Sequence, residues 1–263
     1  MRLSPERAMK ASSGYVFDIK RFATHDGEGI RTTLFLKGCP LRCAWCQNPE
    51  GLHPVPQLLY MESKCMHCGS CAAAAIHGGV SMQEGRVKLV REAAEDWEGL
   101  LDLCPTGALR YDASRYRVAD IMREIKKDSA FFRYGGGVTL SGGEPLLQPA
   151  FALEILKACK AEGIHTTMES SLFAPQETLR QLLPYLDHVY ADLKVFDSAV
   201  HKAYTGVENA QILDNIRTVC GIFLVFAVIW KNQLASICDL PYNEDIRQLV
   251  TEHGGNYGDE EKR

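Results

Sequence analysis

The sequence predicts an α/β fold, a parallel sheet of repeated βα units with a cysteine-rich module inserted near its start. Three observations carry this. From Gly137 onward, short apolar runs alternate with segments of helical periodicity, the pattern of a parallel sheet. Residues 51–112 break that pattern with a cysteine group, an alanine run and two short apolar segments. Polar or cysteine motifs recur just after the strand runs, where ligands bind in such sheets, open or closed.

The elements follow in order. Tyr15–Phe22 and Thr33–Leu36 read as strands on either side of a glycine-rich turn, HDGEGIR. Inside the insert, Ala72–Ala75, GVSM and RVKLV are its short apolar pieces. Val118–Asp128 is amphipathic, with apolar residues at 118, 121, 122 and 125. Gly137–Leu140 is a strand ending in SGGEP. Pro149–Glu162 is a helix that opens on proline and closes at Gly163. His165–Met168 is a strand, Pro175–Tyr185 a helix and Val189–Leu193 a strand. Leu213–Val219 belongs to a helix, and Ile222–Ile229 reads as a buried strand. Strand ends are thus expected to present Cys39, Gly142–Glu144, Glu169 and Asp192–Lys194.

The ten cysteines are grouped. GCPLRCAWC places Cys39, Cys43 and Cys46 in a C-x3-C-x2-C run. Three such thiolates can hold three irons of a [4Fe–4S] cube and leave the fourth open to a chelating substrate. Structural zinc, with His53 as fourth ligand, is the alternative. CMHCGSC places Cys65, Cys68 and Cys71 in C-x2-C-x2-C. A ferredoxin run continues with x3-C-P, but Ala75 and Ile76 stand there, and the Cys-Pro pair comes later, at Cys104. The simple reading is one ferredoxin-like cluster on Cys65, Cys68, Cys71 and Cys104. Here His67 is a competing ligand and a zinc knuckle the alternative. Cys159, Cys220 and Cys238 read as ordinary thiols.

Composition narrows the classes further. The chain has 263 residues, 46% hydrophobic and 24% charged, with a formal net charge of −4. It is long enough for one large domain with an insert. The charge balance does not suggest nucleic-acid binding. The longest apolar run, Gly221–Trp230, is about half of a membrane span, so no membrane partner is expected. MRLSPERAMKASSG has no apolar signal core, so a cytoplasmic location is expected, where clustered thiols hold metal rather than disulfides.

The stretch THDGEGIRTTLFLKGCPLRCAWCQNPE, then GGGVTLSGGEP, then ADLK, resembles the radical S-adenosylmethionine activating enzymes of glycyl-radical enzymes. It is most similar to the pyruvate formate-lyase activating enzyme group, in the branch with a ferredoxin-like insert. The resemblance runs from about Phe17 to Thr218. It implies a partial (βα) barrel over 15–50 and 113–230, an iron–sulfur insert over 51–112, and a divergent, disordered tail over 231–263. It implies oxidoreductase activity: reductive cleavage of S-adenosylmethionine and abstraction of a glycine Cα hydrogen on a partner enzyme. Cys39, Cys43 and Cys46 would hold the catalytic [4Fe–4S] cluster. Trp45 and Gln47 would lie against the cofactor. Gly142, Gly143 and Glu144 would receive its amino group, and Asp192, Lys194 and Phe196 would line it. Glu169 would stand near its carboxylate and a bound monovalent cation. Asp26 and Arg31 of the glycine-rich turn are either structural or partner-contacting.

The implied cofactors are two [4Fe–4S] clusters, S-adenosylmethionine and the monovalent cation. The implied partners are a glycyl-radical enzyme and a flavodoxin- or ferredoxin-type electron donor. An iron–sulfur electron-transfer protein, or another radical S-adenosylmethionine enzyme, is the alternative. After Thr218 the resemblance fades: GIFLVFAVIWKNQLASICDLPYNEDIRQLV lacks the arginine-bearing strand and later histidine of the group. The C-terminal part is expected to be divergent or truncated.

Overall fold

The structure is a computed structural model. It describes residues 13–220 and the backbone strands at 226–229 and 233–236. The main sheet begins with β1 (Ser13–Ala23) antiparallel to β2 (Arg31–Leu36). It continues through β8 (Gly137–Gly142), β9 (His165–Ser170), β10 (His188–Lys194) and β11 (Phe226–Ile229). From β2 to β11 each neighbour is parallel. β7 (Ser114–Arg117) borders β1, and β12 (Gln233–Ser236) borders β11, both antiparallel. The order is β12-β11-β10-β9-β8-β2-β1-β7. The central strands are buried on both faces. RTTLFL of β2 is buried at all but one position, and GVTLSG of β8 at all but the last. That is the mark of a parallel sheet covered on both sides.

Helices cover one face. Val118–Lys126 buries Val118, Ile121, Met122 and Ile125, the spacing seen in the sequence. Pro149–Ala161 opens on its proline and buries Phe151, Ala152, Ile155, Leu156, Ala158 and Cys159. With Gln176–Leu182 and Ala210–Cys220 they build the main core around Leu34, Leu140, Met168 and Val189. The predicted helix from Pro175 runs as an α-helix to Leu182 and tightens into a 3-10 turn over Leu183–Tyr185. Sequence reading missed several elements, among them an edge strand and a helix of the main unit. Edge strand β7 has an almost wholly polar sequence, SRYR. Helix Ser198–Thr205, capped by the Asp197 carboxylate on Val200 N–H at 2.9 Å, carries a weak apolar stripe.

The insert has a small core of its own, Leu58, Val80, Val87, Leu100 and Leu109. β3 (Leu58–Tyr60) pairs with β6 (Leu109–Tyr111), and β4 (Val80–Gln83) with β5 (Arg86–Leu89), both antiparallel. The alanine run lies on a short helix, Ser70–Ala74. The tail beyond Ser236, Cys238 included, lies outside the described residues, as does the start of the predicted strand at Ile222. Gln233–Ser236, placed in the tail by sequence, is strand β12.

Candidate active site

The cysteine loop leaves the end of β2 and is held on three sides by backbone. Gly38 N–H donates to Gly51 O at 2.7 Å, and Cys39 N–H to Leu52 O at 3.2 Å. At the end of β8, Gly143 N–H donates to Leu36 O at 2.9 Å and Glu144 N–H to Gly38 O at 2.7 Å. This crossing has no room for side chains. A Cβ on Gly143 would lie 2.3 Å from Gly38 O, and Gly142 sits at φ +107, a region open to glycine. On the third side the loop rests on the C-terminal end of helix Ser198–Thr205. Arg42 N–H donates to Thr205 O at 2.7 Å and Ala44 N–H to Tyr204 O at 3.0 Å. The loop therefore supplies donors for that helix's orphan carbonyls. Trp45 packs its ring on Tyr204, centroids 5.8 Å apart.

Beside this loop is a cavity of about 540 Å³, in the range of small-molecule sites. Cys39, Cys43, Cys46, Trp45 and Gln47 line one wall. The ends of the parallel strands supply the other: Ser141, Gly142 and Gly143 from β8, Glu169 and Ser170 from β9, Asp192 and Lys194 from β10. Burial pushes the Cys39 thiol up to about 12 and raises Cys43 too, although Lys194 pulls Cys43 down. Lys194 stands at φ +65 and is ion-paired with Asp192. Burial works against its charge, but Asp192 and the thiols of Cys43 and Cys39 hold it above the ordinary lysine value. Burial raises the Glu169 carboxyl, although its Oε2 accepts from Ser141 Oγ–H at 2.6 Å. Asp26 and Asp192 add to the rise.

Two residues that the resemblance places at the cofactor do not line this cavity. Glu144 is wholly buried and does not line the cavity. Its oxygens accept from Ser170 Oγ–H at 2.6 Å, Ser171 Oγ–H at 2.5 Å, Ser171 N–H at 2.9 Å and Leu146 N–H at 3.2 Å. Phe196 packs against the main core, and its carbonyl accepts from Asn209 Nδ2–H at 2.6 Å. Sequence reading passed over Asn48, Leu52, Ser141, Ser170 and Ser171, all of which line the cavity. The serines lie at or just past strand ends, the one signal that would have found them. Arg31 is structural. It is wholly buried and donates to Thr139 Oγ1, Val138 O, Thr167 Oγ1 and Glu28 O at 2.7–3.0 Å. Asp26 accepts from Thr33 Oγ–H at 2.6 Å.

In the insert, Cys65, Cys71 and Cys104 pack against the small core, and Cys68 is exposed. Donors already face three of the sulfurs. His67 N–H reaches Cys65 Sγ at 3.4 Å, Leu109 N–H reaches Cys104 Sγ at 3.5 Å, and Ser70 Oγ lies 3.4 Å from Cys68 Sγ. The Ser70 contact lowers the Cys68 thiol. At Cys104 burial pushes up, yet the Leu109 and Thr106 donors bring the thiol below its ordinary value. Among the described residues, no three His, Cys, Asp or Glu side chains converge on a point that would hold one metal ion. In a cluster each thiolate takes its own iron, so its ligands ring a volume instead.

Residues 33–229, about three quarters of the chain, match the Radical SAM superfamily model. The chain therefore belongs to the radical S-adenosylmethionine superfamily, whose members carry a [4Fe–4S] cluster and S-adenosylmethionine. It is 42% identical over 210 residues to the (2S)-3-sulfopropanediol dehydratase activating enzyme of Klebsiella oxytoca, covering 77% of this chain and 66% of that one. It is 41% identical over 214 residues to the indoleacetate decarboxylase activating enzyme of Tractidigestivibacter scatoligenes, covering 78% and 68%. Among solved structures, a domain of a pyruvate-formate lyase-activating enzyme from Bacteroides vulgatus is 29% identical. It covers 46% of this chain and 96% of that one, with a TM-score of 0.35. The chain spans about two thirds of the length of the curated relatives it matches. Those relatives are activating enzymes of glycyl-radical enzymes, and this chain falls in that group. The residues fit the superfamily's cofactors: one cavity collects three thiols of a single loop, two glycine backbones and a carboxylate–ammonium pair.

Proposed function

We propose that this chain is an activating enzyme that installs a glycyl radical on a partner enzyme. The observation that carries the reading is the single cavity into which Cys39, Cys43 and Cys46 and three parallel strand ends all open. When bound there, the cluster and S-adenosylmethionine would supply reductive sulfonium cleavage and a radical able to take a hydrogen atom from a glycine Cα. Cys39, Cys43 and Cys46 would hold the cluster. Thiols release protons on binding metal, and burial holds Cys39 and Cys43 above the ordinary thiol value, so loading is pH-dependent. Trp45, Gln47, Gly142 and Gly143 would bound the cofactor, and the Asp192–Lys194 pair would orient its polar groups. Glu169, with Asp26 and Asp192 near it, would keep a monovalent cation between like charges. The walls would exclude water from a reactive radical.

In the same reading, Cys65, Cys68, Cys71 and Cys104 hold a second [4Fe–4S] cluster in a ferredoxin-like insert, fed by a flavodoxin- or ferredoxin-type donor. The donors facing three of these sulfurs support it, because a hydrogen-bonded thiolate is the form a cluster binds. The location is read as cytoplasmic; among the described residues no helix is long and apolar enough to cross a membrane. The test is anaerobic incubation with S-adenosylmethionine, a strong reductant and a sulfopropanediol dehydratase of the kind its relative activates. The expected result is 5′-deoxyadenosine together with a glycyl-radical signal on the dehydratase, both abolished by Cys43→Ala. Deoxyadenosine without that signal would move the chain to another partner, and neither product would overturn the reading.

A further inference from the structure

The Tyr60 hydroxyl is a buried polar atom without a hydrogen-bond partner among the described residues. Such a group costs stability unless something satisfies it. Its position narrows what that is. Tyr60 closes β3, the 3-10 turn Glu62–Lys64 follows, and Cys65 N–H bonds back to Glu62 O at 3.0 Å. This turn brings the Cys65 sulfur beside the phenol, where it is the group that acts most on the hydroxyl, in a contact that falls short of full hydrogen-bond geometry. Across the ladder, Tyr60 pairs with Leu109, whose N–H already reaches Cys104 Sγ at 3.5 Å. One rung of the β3–β6 pair thus presents a donor at both ends of the cysteine set.

We propose that Tyr60 donates its O–H to the Cys65 sulfur of the insert cluster and raises that cluster's reduction potential. The inference rests on the reading that Cys65, Cys68, Cys71 and Cys104 hold a cluster. A neutral thiol is a weak acceptor, whereas a metal-bound thiolate is a strong one. Reduction adds negative charge to the cluster, so a donor on a ligand sulfur favours the reduced form. Tyr60 is a positioning and tuning residue; it is not itself a ligand.

The experiment uses the full chain with Cys39, Cys43 and Cys46 changed to alanine, so that only the insert cluster loads. Iron is counted, and the potential is read by electron paramagnetic resonance titration, with and without Tyr60→Phe. About four irons in both are expected. The reduced-to-oxidised ratio at a fixed potential should fall about tenfold in Tyr60→Phe, a shift of about 59 mV to more negative values for one electron. A fluorinated tyrosine at position 60, a stronger donor of the same shape, should move the potential the other way. Four irons with an unmoved potential in both variants would overturn the role of Tyr60 and leave the cluster standing. No iron in the parent would remove the cluster and this inference with it.

Discussion

Glu144 and Glu169 are both carboxylates at parallel strand ends, yet their surroundings give them different work. Glu144 is tied off by two serine hydroxyls and two backbone N–H groups in a wholly buried site. It clamps the end of β8 to the end of β9. Removing it leaves buried donors unmet, at about 1–3 kcal/mol each. Glu144→Ala is therefore expected to destabilise the cofactor-free chain by about 3 kcal/mol, about 6–12 °C in melting temperature. An unchanged melting point with lost S-adenosylmethionine affinity would place this carboxylate at the cofactor after all.

Glu169 faces the cavity, and burial raises its carboxyl above the ordinary value. A carboxyl raised on folding adds stability that is complete below the unfolded value, about 4.3. That stability is lost as pH rises through the folded value. At neutral pH its charge is a cost, held for binding. Glu169→Gln should raise the melting temperature of the cofactor-free chain at about pH 7.5 and change it little at about pH 4, by roughly 2–4 °C per kcal/mol. Equal effects at the two pH values, read by calorimetry, would refute it.

At the scale of elements, the cysteine loop draws its shape from its neighbours. β2 is followed directly by Lys37, whose side chain is 0% exposed and bonds Glu50 O at 2.6 Å and Asp112 Oδ2 at 2.7 Å. Asp112 Oδ1 also accepts from Gln57 N–H at 2.8 Å. This buried pair ties the strand end and cysteine loop to both entry and exit of the insert. Removing one partner of such a pair strands a charge. Lys37→Met should cost about 3–5 kcal/mol in urea unfolding, and Lys37→Met with Asp112→Asn should recover more than half of that. A cost below 1 kcal/mol for the single change would show that water or another group replaces the lysine.

At the scale of the molecule there are two hydrophobic cores, and Cys65, Cys71 and Cys104 pack against the smaller one, apart from the Cys39–Cys46 loop at the main sheet. One core is built on the central strands, the other on Leu58, Val80, Val87, Leu100 and Leu109. Under the proposed reading the sets load independently. Reconstitution should give about eight irons per chain, and Cys104→Ser should halve that while deoxyadenosine formation with a strong reductant survives. Full iron in Cys104→Ser would break the ligand assignment.

How much of this was legible follows from the range of the interactions involved. The βα rhythm from Gly137 onward and the helix at Val118 were plain because apolar periodicity is local and these elements bury what the pattern says they bury. The cysteine triad and the strand-end residues Gly142, Gly143, Glu169, Asp192 and Lys194 were legible too, because parallel strand ends must meet on one side of the sheet. Helix Ser198–Thr205 was not, because its role is to receive the cysteine loop on its last carbonyls, a contact with residues some 160 positions earlier. Chain order alone determined which chemical groups this protein can bring to a site. Only the tertiary structure decided that Glu144 turns inward to two serines while Glu169 opens on the cavity. Successive residues around a strand end point to opposite sides, and which side is dry depends on everything packed against it.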